Sequence, residues 1–462
     1  MPSAKSIMFK YFSTSFLYLL LIVFFTFNSF SIFAQDNSPY SRYGLGDLAP
    51  NSNIVNRAMG GISSGYADFL SINFNNPASF SAFQNILEPR TNKPVSGRAM
   101  FDVGLNYDSK TIRNPNQPQK FTSSNAQFSY VQLGMPIRKN WGLSFGLRPI
   151  SRISYKIVRN EKLFDPASGL PVDSTITEFS GDGGAYLPSI GTGVAIKNFS
   201  IGVNAGYLFG QRKNSTRRAF INDTVQYYNS NHTTNSSFGD LFFQLGAQYN
   251  IKITEQTNMR LGLTGNLQQN IKGTQDLIRE TFIRDPGGNG DFRLDSVYEI
   301  NNQSGDIVYP ASYTAGFVVE HKKAKGGGWL LGADLVQTKW SNYRFFGASD
   351  AVADNWQLRV GGQLRPEPAI NYFSNVAYRG GFSFGKDYIT AGGDLPSWTA
   401  TLGLGLPLPN YNRLSPNQFT IINIALEYQN RGNNDNPIKE NTFRFSLGLN
   451  FSDLWFTKRR YD

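Results

Sequence analysis

The chain has no cysteine and only two histidines, His232 and His321, among its 462 residues. The missing cysteine removes a disulfide framework, thiol catalysis and a lipoprotein anchor together, because the lipobox is acylated on that residue. No zinc or iron pattern exists, and no cofactor is expected. Long apolar runs are also scarce: mean hydropathy is −0.33, hydrophobic residues make up 40%, and no helical span follows the first three dozen residues. There, Lys5 and Lys10 precede an apolar stretch from about Phe16 to Phe27 that ends in Ile32-Phe33-Ala34. This reads as a secretory signal peptide, 1–34, cleaved near Ala34; a retained membrane helix is the rival reading. A formal charge of +11 suits an anionic lipopolysaccharide surface. Its Arg and Lys are spread along the chain without a basic helix or RNA-binding signature, so no nucleic acid is expected as a partner.

What is present is alternation. Aromatics reach 14%, glycines number 45, and from Thr442 to Phe451 large apolar residues (Phe443, Phe445, Leu447, Leu449, Phe451) alternate with Arg444, Ser446, Gly448 and Asn450. Phe199 to Phe209 repeats the pattern. A lipid-facing apolar row opposite a small polar row predicts an all-β fold, a transmembrane antiparallel β-barrel of the outer membrane. Fourteen segments have spanning length: 99–107, 126–136, 142–154, 186–196, 199–210, 238–250, 259–271, 308–321, 327–337, 356–365, 374–385, 396–406, 418–429 and 442–452. The even number closes the wall and leaves no strand edge in lipid. Short connections such as Arg138-Lys139-Asn140 alternate with long ones near 155–185, 211–237 and 272–307. With both termini in the periplasm, the long loops lie outside, where outer-membrane protein partners would dock. The six tryptophans are expected in two interfacial girdles, Trp141, Trp329 and Trp455 below and Trp340, Trp356 and Trp398 above. The chain thus divides into signal 1–34, an N-terminal extension and hatch 35–96, a barrel 97–452 and a periplasmic tail 453–462.

The segment 35–96 carries Arg57-Ala58-Met59-Gly60-Gly61, Asp68, Asn73 and Asn76-Pro77-Ala78-Ser79-Phe80. Here the chain resembles the FadL/TodX family of outer-membrane hydrophobic-compound transporters. The likeness continues through Leu187-Pro188, Leu208-Phe209-Gly210, Tyr309-Pro310-Ala311, Asp334 ahead of Trp340-Ser341, Arg379-Gly380-Gly381 and Leu395-Pro396-Ser397-Trp398. It implies a hatch inside the lumen, gated through Gly60, Gly61, Asn73, Asn76, Pro77 and Ala78, with Pro310, Asp334, Trp340, Arg379 and Pro396 as landmarks. It also implies a kinked third strand that releases apolar cargo sideways. Pro149, beside Arg148, is the candidate for that kink, since proline cannot donate to the ladder; a strand that simply ends there is the alternative. Independently, inward residues such as Gly202, Asn204, Gly206, Gly262 and Thr264 are too small to fill a fourteen-strand barrel. The hatch is the natural filler, an exposed periplasmic arm the other possibility.

Two further motifs carry little. Gly61-Ile62-Ser63-Ser64-Gly65 matches the G-x-S-x-G hydrolase pattern without its strand-to-helix elbow or a paired histidine, so no enzyme is expected. Asp285 to Asp291, with Asp295, lacks the spacing and closing Glu of a calcium loop and reads as a surface turn. Two functions follow. One is a channel for passive uptake of long-chain fatty acids or other apolar small molecules, in contact with membrane lipid. The other is a non-transporting barrel, a subunit or carrier in a larger outer-membrane complex for protein secretion or barrel assembly.

Overall fold

The computed structural model describes residues 38–87, 94–221, 227–284, 291–408 and 418–455. The barrel strands are β1 (Pro94–Arg113), β2 (Lys120–Arg138), β3 (Trp141–Phe164), β4 (Pro171–Ile196), β5 (Phe199–Phe220) and β6 (Asn229–Lys252). Then come β7 (Thr257–Asn266 with Gln269–Arg284) and β8 (Asp291–Tyr309 with Ser312–Lys322), each interrupted once. The ring continues through β9 (Gly328–Thr338), β10 (Asn355–Arg365), β11 (Ala377–Lys386), β12 (Pro396–Leu408), β13 (Phe419–Arg431) and β14 (Lys439–Trp455). Neighbours pair antiparallel, and β14 closes on β1 from Lys439 opposite Arg113 to Trp455 opposite Gly97. All fourteen strands expected from the alternation are present.

The barrel is apolar outside and polar inside. On β14, Phe443, Phe445, Leu447, Leu449 and Phe451 face outward and exposed, while Thr442, Ser446, Asn450 and Ser452 are buried toward the lumen. Period two decides this, since successive side chains of a strand point to opposite faces and only one face meets lipid.

The expected long loops are not loops. The described residues of 155–185, 211–237 and 272–307 continue as tall paired strands, and β3 pairs with β4 from Ser151 opposite Ala185 to Leu163 opposite Asp173. β3 alone has 24 residues, which at about 3.3 Å each runs to roughly 80 Å against roughly 30 Å of hydrocarbon. The spanning criterion stops where outward residues turn polar, as at Lys156 and Asn160, but backbone pairing does not require lipid. β3 to β8 therefore stand as a curved sheet above one half of the rim. On the other half the connections are shorter, with a 3-10 turn at Trp340–Asn342.

Residues 38–87 run inside the ring from one mouth to the other. At the first mouth the Ser38 N–H donates to Ser154 O at 3.2 Å, and the Ser38 hydroxyl reaches Glu440. At the other mouth Asn85–Leu87 pairs with the start of β1, alongside Trp455. The described chain thus begins at the mouth opposite its C-terminal end, because the segment passes through the lumen before β1 starts. Three apolar clusters fix it: Ile54, Ala58 and Phe74 against Tyr130; Met59, Ile62 and Tyr66 against Val318 and Leu330; Ile72, Phe80 and Phe83 against Met100.

Candidate functional site

The luminal segment is built from capped single turns. α1 (Ile54–Arg57) starts at Asn53, whose side-chain oxygen accepts the Asn56 N–H at 2.8 Å. Asn76 caps the 3-10 helix Pro77–Ala82 in the same way, accepting the Ala78 N–H at 3.1 Å, with Pro77 preset for the first turn. The Asn76 amide also donates to Ser64 O at 2.6 Å, and that of Asn73 to Ser63 O and Tyr66 O at 2.7 and 2.8 Å. Gly60 and Gly61 turn the chain at φ +70 and +87. A Cβ on Gly60 would stand 2.6 Å from Val360 O, so only glycine lets the turn lie against the wall. Wall glycines reciprocate: a Cβ on Gly246 would fall 2.0 Å from the Asn76 side-chain oxygen.

Polar contacts reach the wall on every side. The Asp334 carboxylate of β9 accepts the Ser63 and Ser64 N–H groups at 2.6 and 2.9 Å and the Ser64 hydroxyl. Gln244 of β6 donates to Asn75 O, Arg359 of β10 to Gly61 O, and the Gly60 N–H donates to Thr401 of β12. Arg57 is the central tie. Its guanidinium donates to Glu427 of β13, Asn106 of β1, Ser129 of β2 and Ser446 of β14, all within 3.2 Å.

A second ionic cluster closes the upper lumen. Asp47 lies 2.7 Å from Lys110 and 2.9 Å from Arg431, and Arg431 also meets Asp387 at 3.0 Å and Glu440 at 3.3 Å. Arg444 and Asp108 pair at 2.6 Å beside them. Burial works to raise the Asp47 carboxyl, but Lys110 and Arg431 outweigh it and pull it down to about 2. Over this cluster lies an aromatic lid: Trp340 stacks on Tyr388 at 4.1 Å, Tyr40 and Tyr343 pack beside them, and the Tyr388 hydroxyl donates to Gly46 O.

Trp340 is therefore not a girdle residue. It is 2% exposed, whereas Trp329, Trp356, Trp398 and Trp455 are 37–45% exposed on the outside. The short turn Trp340–Asn342 folds inward over the mouth, where an indole finds aromatic partners. Of the other landmarks, Pro310 interrupts β8 and its carbonyl accepts from Asn266 at 2.9 Å. Arg379 bonds to Gln363 and Asn423 within the wall, and Pro396 opens β12. Ser63 is fully buried and accepts from Asn75, while His321 pairs with Thr257. Residues 285–290 of the acidic turn, and 456–462 of the tail, lie outside the described residues.

The wall is breached between β2 and β3. β2 and β3 pair only from Arg138 opposite Trp141 to Val131 opposite Leu147, and β2 above Val131 pairs with β1 alone. The next β3 residues are Arg148 and Pro149, where the ladder to β4 also shifts register. Beyond them the freed β3 edge takes Asp47–Leu48 as its partner at Arg152 and Ser151, and the Ala49 N–H donates to Ile150 O at 2.9 Å. Behind the breach lies a cavity of about 1060 Å³, lined on one side by the charged cluster and on the other by Ile150, Tyr186, Phe209, Phe242, Tyr309 and Trp340.

The sequence singles out the segment and Pro149 but not Asp47, Lys110, Glu427, Arg431, Glu440 or the role of Arg57. Their signal was present: charges on the inward row of otherwise apolar-alternating strands must be paired.

Among solved structures, a TodX monoaromatic hydrocarbon channel mutant (deltaS2S3) matches with a TM-score of 0.50 and 15% identity, over 87% of this chain and 98% of that one. A Pseudomonas aeruginosa FadL homologue (14% identity, 89% and 100% covered) and the Pseudomonas putida toluene transporter TodX (14%, 89% and 99%) both score 0.48. No curated protein matches. The FadL/TodX resemblance thus holds at the level of fold. The family model that matches is BamG, over residues 16–462, and the chain belongs to the BamG family.

Proposed function

We propose that this protein is a plugged outer-membrane barrel that works as a non-transporting subunit or carrier in a larger outer-membrane complex, one for barrel assembly or protein secretion. The observation that carries this reading is the way the lumen is tied shut. Arg57 bonds to four strands, Asp334 holds two backbone N–H groups, and Asp47 sits in a five-membered ion cluster under an aromatic lid. A passage for apolar solutes gains nothing from paired charges along its walls, and a gate would have to break them. The tall sheet from β3 to β8 supports the same reading, since it extends well past the lipid on one side and offers a surface to a neighbour. In this orientation the signal peptide is cleaved near Ala34, β1 begins and β14 ends at the periplasmic face, and the tall sheet is external.

One observation favours the second reading, passive uptake of long-chain fatty acids or other apolar molecules. The breach at Arg148 and Pro149 gives the cavity a lateral exit, and a solved structure of similar fold is described as a monoaromatic hydrocarbon channel. On that reading 35–96 is the hatch, moving about Gly60 and Gly61 and positioned by Asn73, Asn76, Pro77 and Ala78.

Native mass spectrometry of the protein extracted gently from outer membranes, with labelled oleate uptake by deletion and complemented cells, separates the two. A defined complex with unchanged uptake supports the subunit; a lone barrel whose loss abolishes uptake supports the channel.

A further inference from the structure

The mouth at which β1 begins carries an apolar knob. Most described turns there are short and polar, such as Lys139-Asn140 and Lys197-Asn198. The turn between β10 and β11, residues 366–376, differs: Ile370 is fully exposed, Phe373 66% and Tyr372 40%. In the other described turns of this mouth only Ile253 is a large apolar residue so exposed. The knob is held out by a turn that satisfies its own polar groups. Asn371 caps the 3-10 helix Tyr372–Asn375, its side-chain oxygen accepting the Phe373 N–H at 3.2 Å. The Asn375 amide donates to Ala369 O and Asn371 O at 3.0 and 3.1 Å, and the Tyr378 hydroxyl donates to Phe373 O at 3.1 Å. Side chains fixed in this way lose little freedom on binding.

Trp329, Leu364 and Tyr378 stand opposite one another in one outward row of β9, β10 and β11, the row of the lower girdle. The turn begins beyond that row, and an interfacial tyrosine sets its hydroxyl on the wet side. Ile370 and Phe373 therefore lie past the hydrocarbon, where apolar side chains exposed together mark a contact with another protein. The rim around them is basic: Lys139, Lys197, Lys252, Lys322, Lys323 and Lys325 stand against Glu255, Glu320 and Glu367. Lys252, Lys322 and Lys323 pair with those carboxylates at 2.7–3.3 Å, whereas Lys139, Lys197 and Lys325 meet none among the described residues.

We propose that Ile370 and Phe373 anchor the barrel to a periplasmic protein, one that offers an apolar pocket ringed by carboxylates. Charge complementarity with the lysine rim sets the sign of that ring. This rests on the subunit reading and its orientation, and adds a contact at the mouth opposite the tall sheet.

The test places photoreactive benzoylphenylalanine at position 370 of the full chain in cells. Irradiation should join it to a periplasmic protein through a peptide in which Asp and Glu outnumber Lys and Arg. That protein, once purified, should bind the wild-type barrel in a salt-sensitive way. The double variant Ile370→Ser with Phe373→Ser should raise the dissociation constant about tenfold or more, the scale of lost anchor residues. Lys156→Gln, at the opposite mouth, should leave it unchanged. An adduct with phospholipid and none with protein overturns the proposal. So does equal affinity for a double variant that still shows the heat-modifiable migration of a folded barrel, or an affinity indifferent to salt. A wild-type barrel that purifies with no protein at all ends the subunit reading, and this contact with it. A complex that forms but gives no protein adduct at 370 ends this proposal alone.

Discussion

Arg57 illustrates how a single side chain can join a plug to its wall. Its guanidinium spans β13, β14, β1 and β2, where the ring closes, and its carboxylate partner Glu427 is buried with it. Arg57→Met should destabilise the barrel by at most roughly 3–5 kcal/mol, the cost of leaving a buried charge without its partner, less what Arg444, 3.7 Å from the same carboxylate, retains, and equilibrium unfolding in urea would measure it. The double change Arg57→Met with Glu427→Gln should recover part of that loss, because the orphaned charge is then gone. Asp47 makes a different point. Its folded carboxyl sits near 2, below the ordinary value of about 3.9. A depressed carboxyl stabilises the fold above its unfolded value, and that contribution is lost only as pH falls through the folded one. Protease protection of residues 38–87 should therefore be the same at pH 7 and pH 5 and weaken only below about pH 4; a loss between 7 and 5 would contradict the geometry of this cluster. The residue types in these clusters were visible beforehand, but partners such as Arg57 and Glu427 lie hundreds of positions apart, and no spacing rule links them.

At the scale of elements, the breach and its repair belong together. β3 leaves β2 at Arg148, and Asp47–Leu48 of the luminal segment takes over its edge. Directly paired antiparallel residues have the separation a disulfide requires, and the chain has no other cysteine to compete. Leu48→Cys with Ser151→Cys should thus crosslink on mild oxidation in folded protein and not in urea, seen as a shift on non-reducing gels. A failure to form would mean the segment does not rest on β3. Pro149 is a local signal, a residue without an N–H to give to a neighbouring strand; beside it the β2 ladder ends at Leu147 and the β4 ladder shifts register. The tall hairpins show the opposite case. Their strand pairing was hidden because a spanning-length rule counts only residues that meet lipid, while pairing in β3 to β8 continues into water.

For the whole molecule, the asymmetry of the rim is the leading feature. Six strands rise on one side and the other side is closed by short turns around Trp340 and Tyr388. If the tall sheet is where a partner docks, it should be separable from the barrel. Removing the residues between Gln275 and Gln303 and joining the ends by Asn-Gly, which suits a two-residue hairpin, should leave a heat-modifiable barrel of normal abundance. The co-purifying complex should be lost. A complex that survives the truncation would place the contact elsewhere. Uptake of apolar solutes should be unaffected by this change on either reading, so the two measurements remain independent.

The sequence alone determined the strand number, the facing of each strand and the closed antiparallel ring. All of these follow from period two and from backbone groups that must be paired in lipid. Only the tertiary structure decided which inward charges meet, that 38–87 runs from mouth to mouth, and that Trp340 turns in to roof the lumen. Those depend on contacts between residues far apart in the chain. Alternation fixes which side of the wall a residue faces, but not its height in the barrel or what stands opposite.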